Sequence, residues 1–114
     1  MSAVPDFNRM YRDFNARRID DVLELLHSEV DWPNGWEGGC VHGIPAVRDY
    51  WTRQWVAIDP SVVPVAITDN GAGVVTVRVH QVVKDLSGAV FGDEQLDHIY
   101  VIEGGLIRSM KIRK

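Results

Sequence analysis

The chain changes its periodicity near Asp59-Pro60, and that change limits the folds open to it. Before it, apolar residues recur at three- and four-residue steps, the mark of amphipathic helices; after it they alternate, and β-branched side chains dominate. Val4, Phe7, Met10, Tyr11 and Phe14 predict a first helix with Arg9, Arg12 and Asp13 facing water. Ile19, Val22, Leu23 and Leu26 predict a second, with Asp20 and Asp21 in its first turn, where the dipole favours negative charge, and His27 capping its end. A third opens at Ile44-Pro45 and presents Ile44, Val47, Trp51, Trp55 and Ile58 on one face. Four strands follow, over 62–68, 74–84, 89–102 and 106–112. They are separated by turns rich in Asp, Asn and Gly at 69–73, 85–88 and 103–105. Helices first and a strand meander afterwards predict an α+β domain with three helices packed on one face of a curved, mostly antiparallel sheet.

Between the second and third helices, the short strand signal Glu29-Val30-Asp31-Trp32 runs into a loop, Asp31 to Gly43, that holds two indoles, an amide, a histidine and several glycines. Pro33 removes a donor, and the glycines permit unusual dihedrals. A connection of this length serves as the lip of a pocket or is a tryptophan-stapled structural loop. All four tryptophans fall between positions 32 and 55, on this loop and on the helix that leaves it.

At 114 residues, with 46% hydrophobic and 25% charged residues, the chain has the length and balance of a single globular domain spanning 1–114. A formal net charge of -4, spread along the whole chain, argues against nucleic acid as a partner, since phosphate binding needs a clustered cationic footprint. No apolar run approaches a membrane span, and Met1 to Asp6 has no signal-peptide character. Cys40 is the only cysteine, which excludes an intrachain disulfide and makes the cytoplasm the expected setting. His27, His42, His80 and His98 have no metal-ligand spacing, so neither a metal nor another cofactor is expected.

Alternation along the meander divides its side chains into two sets. Val75, Val77, Val79 and Val83 form an apolar side, continued by Leu96, Tyr100 and Ile102 if the turn at 85–88 is of even length. Three helices cannot cover both faces of a sheet, so the apolar side predicts a homodimer packed through the sheet. The opposite side carries Thr76, Arg78, His80, Val82, Asp93, Gln95, Asp97, Ile99 and Val101, and is then the face beneath the helices. Polar groups turned into an enclosed face must be paired or used. His98, pointing away from its neighbour Asp97, falls on the dimer side.

Several stretches carry a resemblance: Phe14-Asn15-Ala16 leading to Ile19-Asp20, Glu29-Val30-Asp31-Trp32, His42-Gly43-Ile44-Pro45-Ala46-Val47-Arg48-Asp49-Tyr50-Trp51, and Asp97-His98-Ile99-Tyr100 followed by Gly105-Leu106-Ile107. From about Phe7 to Ile112 the chain resembles the nuclear transport factor 2-like superfamily, which includes the ketosteroid isomerases and the SnoaL-like polyketide cyclases. The resemblance implies a cone-shaped fold enclosing a pocket. In ketosteroid isomerases a carboxylate just past the first strand moves a proton, while a first-helix tyrosine and a protonated aspartic acid stabilise the enolate oxygen. A gapless alignment puts Asp97 on that aspartic acid, Asn34 on the base and Met10 on the tyrosine. An amide cannot accept the substrate proton, which argues against steroid isomerisation by that route.

The resemblance to polyketide cyclases implies proton transfer by Asp97 itself. Enclosed among Trp51, Trp55 and Ile99, its pKa should rise unless Arg78 or His80 pairs with it. His80 lies on the same side of the neighbouring strand, so a diagonal His80 and Asp97 couple is the expected catalytic pair, with a purely structural Arg78, His80, Asp93 and Asp97 network as the alternative. Three functions follow. One is an isomerase, cyclase or lyase acting by acid-base chemistry on a hydrophobic cyclic molecule. Tyr11, Trp32, Asn34, Trp36, Trp51, Trp55, Arg78 and Met110 would then surround that molecule. The others are a non-catalytic binder using the same pocket and a protein-interaction domain using the sheet face or the lip.

Overall fold

The computed structural model describes residues 4–34 and 38–114, so Trp36, expected at the lip, lies outside the described residues. The elements run α1 (Phe7–Asn15), α2 (Ile19–Leu23), β1 (Leu26–Pro33), β2 (Cys40–His42), α3 (Ile44–Ala57), β3 (Asp59–Asp69), β4 (Val74–Lys84), β5 (Val90–Glu103) and β6 (Leu106–Arg113). The strands make one sheet in the order β2-β1-β6-β5-β4-β3, antiparallel except between β1 and β6. Register shifts at Pro64/Ala66, Val83/Lys84 and Val101/Ile102 interrupt three of the ladders. Bulges of this kind bend and twist strands, and here they curve the sheet round the helices. The α+β architecture expected from the periodicities is the one that forms.

Local chemistry explains how each helix is held. Asp6 caps α1, its side chain accepting a hydrogen bond from the Arg9 N–H at 3.2 Å. Phe7, Met10 and Tyr11 then turn inward together. At the other end of α1, Asn15 bonds the backbone of Val62 through both its amide oxygen and its amide nitrogen, at 2.9 and 2.8 Å, much as a neighbouring strand would. Arg17 sits at φ +63°, and its guanidinium is anchored by Asp59 at 2.5 Å and the Pro60 carbonyl at 2.9 Å. These contacts fix α1 against the start of β3. Gly43 at φ +86° turns the chain from β2 into α3, whose first turn accepts Pro45.

Two elements differ from the periodicity. The second helix stops at Leu23, and Leu26 and His27 already belong to β1, an interior strand between β2 and β6. No side chain caps the five-residue α2, and Leu26 finds a ladder partner in Ile107 instead. His27 therefore caps no helix; its Nδ1 accepts from the Glu29 N–H at 2.9 Å. Within the glycine-rich loop, Cys40–His42 forms β2, paired with Asp31, Trp32 and Pro33.

The larger correction concerns the faces of the sheet. The turn between β4 and β5 does keep parity: Val75 pairs with Tyr100, Val77 with His98 and Val79 with Leu96. This apolar side, however, is the one beneath the helices. Val77, Val79 and Tyr100 are wholly buried, and the core joins them to Phe7, Tyr11, Trp32 and Trp51. Arg78, His80, Asp93 and Asp97 lie on the outer face. Hydrophobic burial decides the matter, because the apolar stripes of α1 and α3 gain most by covering the valine side of β4. The argument for a dimer from an uncovered apolar face fails with it. Among the described residues no helix is long and apolar enough to cross a membrane.

Candidate functional site

Between the helices and the concave face lies an open cavity of about 1200 Å³. The exposed lining residues Phe91, Glu94 and Lys114 mark its mouth. Phe14, Trp32, Trp51 and Tyr100 form part of its wall, backed by further rings. Trp32 meets Trp51 edge-on, ring centroids 5.2 Å apart, and Phe14 packs edge-on against Trp51 at 5.4 Å and Trp55 at 5.2 Å. Phe7 lies 4.7 Å from the Tyr100 ring. Helical spacing on α1 and α3 brings these rings to one side, and alternation on β1 and β5 brings Trp32 and Tyr100 to meet them.

A buried polar cluster is set into this lining. The Tyr11 hydroxyl lies 2.8 Å from His98 Nδ1 and 2.6 Å from the Tyr100 hydroxyl, which is itself 3.5 Å from Nδ1. All three side chains are buried and border the cavity. Burial makes every charged form costly here. It pushes the His98 imidazole down to about 4, although the nearby Asp97 charge pulls the other way. Burial likewise raises the Tyr11 hydroxyl, helped by Tyr100, and raises the Tyr100 hydroxyl against the hydrogen bond from Tyr11. At neutral pH the cluster is an uncharged imidazole and two uncharged phenols. His98 Nε2 is shielded from solvent and has no hydrogen-bond partner among the described residues.

The expected site residues divide in two. Tyr11, Trp32, Asn34, Trp51 and Met110 line the cavity. The backbone of Asn34 also pairs with the glycines across the loop, its N–H donating to the Gly39 carbonyl at 2.9 Å and its carbonyl accepting from the Gly38 N–H at 2.8 Å. Trp55 packs against Phe14 and beneath the Arg17 guanidinium and does not border the cavity. Asp97, His80 and Arg78 are on the other side of the sheet. There Asp97 accepts from Arg113 at 2.7 and 3.2 Å and from Arg78 at 3.4 Å, and His80 bonds Asp93 at 2.6 Å. Arg113, and secondarily Arg78, holds the Asp97 carboxyl below its usual range, against the rise expected for an enclosed acid. The diagonal couple is thus absent from the cavity. Its position at the centre is taken by His98 and Tyr100, whose signal was available in the alternation with Val77 and Val75, read with the correct face inward.

A second ionic cluster stands at the root of the lip. His42 Nδ1 is 2.7 Å from Asp31 and Nε2 is 2.8 Å from Glu29, while Arg108 reaches Asp31 at 3.2 Å and Glu103 at 3.5 Å. The Asp31 and Glu29 bonds raise the His42 pKa, and the His42 bond, with Arg108 behind it, lowers that of Asp31.

A curved sheet closed on one side by three helices is the nuclear transport factor 2-like class of fold. Within that class, the SnoaL-like domain model matches residues 7–110, and the chain belongs to this family. Solved structures agree on the fold. TerC co-crystallised with polyporic acid is 21% identical, over 90% of this chain and 83% of that one, with a TM-score of 0.78. A Sinorhizobium meliloti protein provisionally named a polyketide cyclase is 21% identical over 96% and 95%, also at 0.78. A Mycobacterium tuberculosis protein in complex with estradiol-17β-hemisuccinate is 16% identical over 90% and 85%, again at 0.78. No curated protein matches the chain significantly.

Proposed function

We propose that the protein binds a small, largely hydrophobic ring compound, with one oxygen of the ligand meeting the Tyr11, His98 and Tyr100 cluster. The observation that carries this reading is the uncharged hydrogen-bonding centre set among aromatic walls. Such a lining rewards flat apolar area and orients the ligand by a few polar contacts. The ring compounds bound by TerC and by the Mycobacterium tuberculosis protein are of the kind this reading expects. A titration of intrinsic tryptophan fluorescence with 2-naphthol tests it. Saturable quenching in the wild type, weakened in Tyr11→Phe, supports the reading; no saturable change, or an unaltered Tyr11→Phe curve, overturns it.

Catalysis by proton transfer is the second reading, favoured by an uncharged imidazole hydrogen-bonded to a phenol at the border of the cavity. An isomerase, cyclase or lyase of this type would use His98 as the proton acceptor and the phenols as hydrogen-bond donors. His98→Gln, which removes the basic nitrogen, should abolish turnover of any ring substrate while binding persists. Retained turnover would exclude His98 as the base. A cytoplasmic setting and a homodimer complete the proposal. The dimer now rests on the outer face, where Val63 is 51% and Val101 40% exposed among the Arg78, Asp97 and Arg113 charges. Sedimentation equilibrium showing only a 12.8 kDa species would remove it.

A further inference from the structure

Two positions on β5 set the length of the cavity. Glu94 and His98 share the concave side with Leu96 between them, so four residues, about 13 Å of strand, separate the buried Tyr11 and His98 bond from the mouth. At the mouth, Glu94 pairs in register with Gln81 of β4, and Gln81 with Val62 of β3. The Glu94 carboxylate lies 3.5 Å from Lys114 Nζ. Ile58, Pro60, Val83 and Phe91 line the same end, so these polar groups stand among apolar side chains. Asp31 and Lys111, the other charged residues of the lining, alternate with the buried Trp32 and Met110 and turn to the outer face.

We propose that the cavity selects elongated ring compounds with two oxygens, one at the Tyr11 end and a neutral hydroxyl at the mouth, where it donates to Glu94 and accepts from the Gln81 amide. Taking one hydrogen bond at each end from the length of strand leaves oxygens about 7–8 Å apart, the span of opposite substituents on two fused rings. A cavity of about 1200 Å³ also admits larger ring systems with that spacing. The charges at the mouth choose the hydroxyl. Lys114 already balances Glu94, so a ligand carboxylate there would face the Glu94 charge and a ligand ammonium that of Lys114. A hydroxyl both donates and accepts, and it adds no charge to the pair.

The inference rests on the proposed binding reading, and one set of titrations separates the two. Isothermal titration calorimetry compares 2-naphthol, 2,6-dihydroxynaphthalene and 6-hydroxy-2-naphthoate on the wild type, on Glu94→Leu and on Gln81→Leu. The wild type should bind the diol about tenfold more tightly than 2-naphthol, the order of one hydrogen bond to a partly exposed carboxylate. The naphthoate should bind no more tightly than 2-naphthol. In Glu94→Leu the preference for the diol should shrink to about twofold, what remains when the diol gains only a second equivalent orientation. Gln81→Leu should reduce it by a smaller factor. If none of the three compounds binds the wild type, the binding reading fails and this inference with it. If 2-naphthol binds and the diol binds no better, or the naphthoate binds best, the selection at the mouth is overturned and the binding reading stands. An undiminished preference in both variants would likewise overturn the assignment to Glu94 and Gln81. The wild-type comparison decides the ligand class even if neither variant folds.

Discussion

Tyr11 and His98 stand 87 positions apart in the chain, yet their hydroxyl oxygen and Nδ1 lie 2.8 Å from each other in a buried hydrogen bond. The bond joins the first helix to the fifth strand at the floor of the cavity. Its strength and its lack of charge lead to the first two predictions.

Tyr11→Phe removes the only hydroxyl that both Tyr100 and His98 Nδ1 approach closely, leaving those atoms 3.5 Å apart. Two buried polar groups then lack a good partner. The variant should lose about 1–3 kcal/mol of stability, read as a lower urea midpoint with an unchanged slope.

His98 carries a pH dependence of definite sign. Its folded pKa, about 4, lies below the unfolded value of 6.5, so the unfolded chain binds the extra proton. Stability should therefore fall as pH drops from about 6.5 toward 4 and should stop falling on this account below that. The full shift corresponds to about 3 kcal/mol. Urea midpoints measured from pH 7 to 4.5 should slope downward in the wild type and flatten in His98→Gln. Equal slopes would show that His98 is not held neutral.

At the lip the sign reverses. The His42 pKa is raised by Asp31 and Glu29, so its contribution is fully present below pH 6.5 and is lost as pH climbs through the raised value. An NMR titration should place the His42 midpoint above 6.5, and Asp31→Asn should bring it back toward that value.

Asp97 faces away from the cavity and is held ionised by Arg113 and Arg78. Asp97→Asn should leave ligand affinity unchanged. Because this carboxyl is depressed, what it contributes to stability is present above pH 3.8 and lost as pH falls through its lower folded value. Weakened ligand binding in Asp97→Asn would contradict the outward placement.

Trp51 is 1% exposed and packed against Trp32, Phe14 and Trp55. Trp51→Ala should cost about 3–5 kcal/mol, visible as a large fall in the thermal midpoint, whereas Trp51→Phe should lose much less.

Much of this protein could be read from its residues in order. The stripe of Phe7, Met10 and Tyr11, the Pro45 start of α3, the alternation from Val75 to Val79 and the Asx and glycine turns each follow from spacing along one segment, and spacing is a local property. β1 was less legible, because Leu26 satisfies helical periodicity with Val22 and Leu23 and is claimed for the sheet only by Ile107, far along the chain. The faces of the sheet needed tertiary information altogether. Alternation separates Asp97 from His98 without saying which of them looks inward. That choice follows from where α1 and α3 bury their apolar stripes, a comparison of whole surfaces that no single segment contains. The sequence by itself therefore determined the elements and their pairing parity, while the folded chain alone decided that Tyr11, His98 and Tyr100, rather than Asp97, border the cavity.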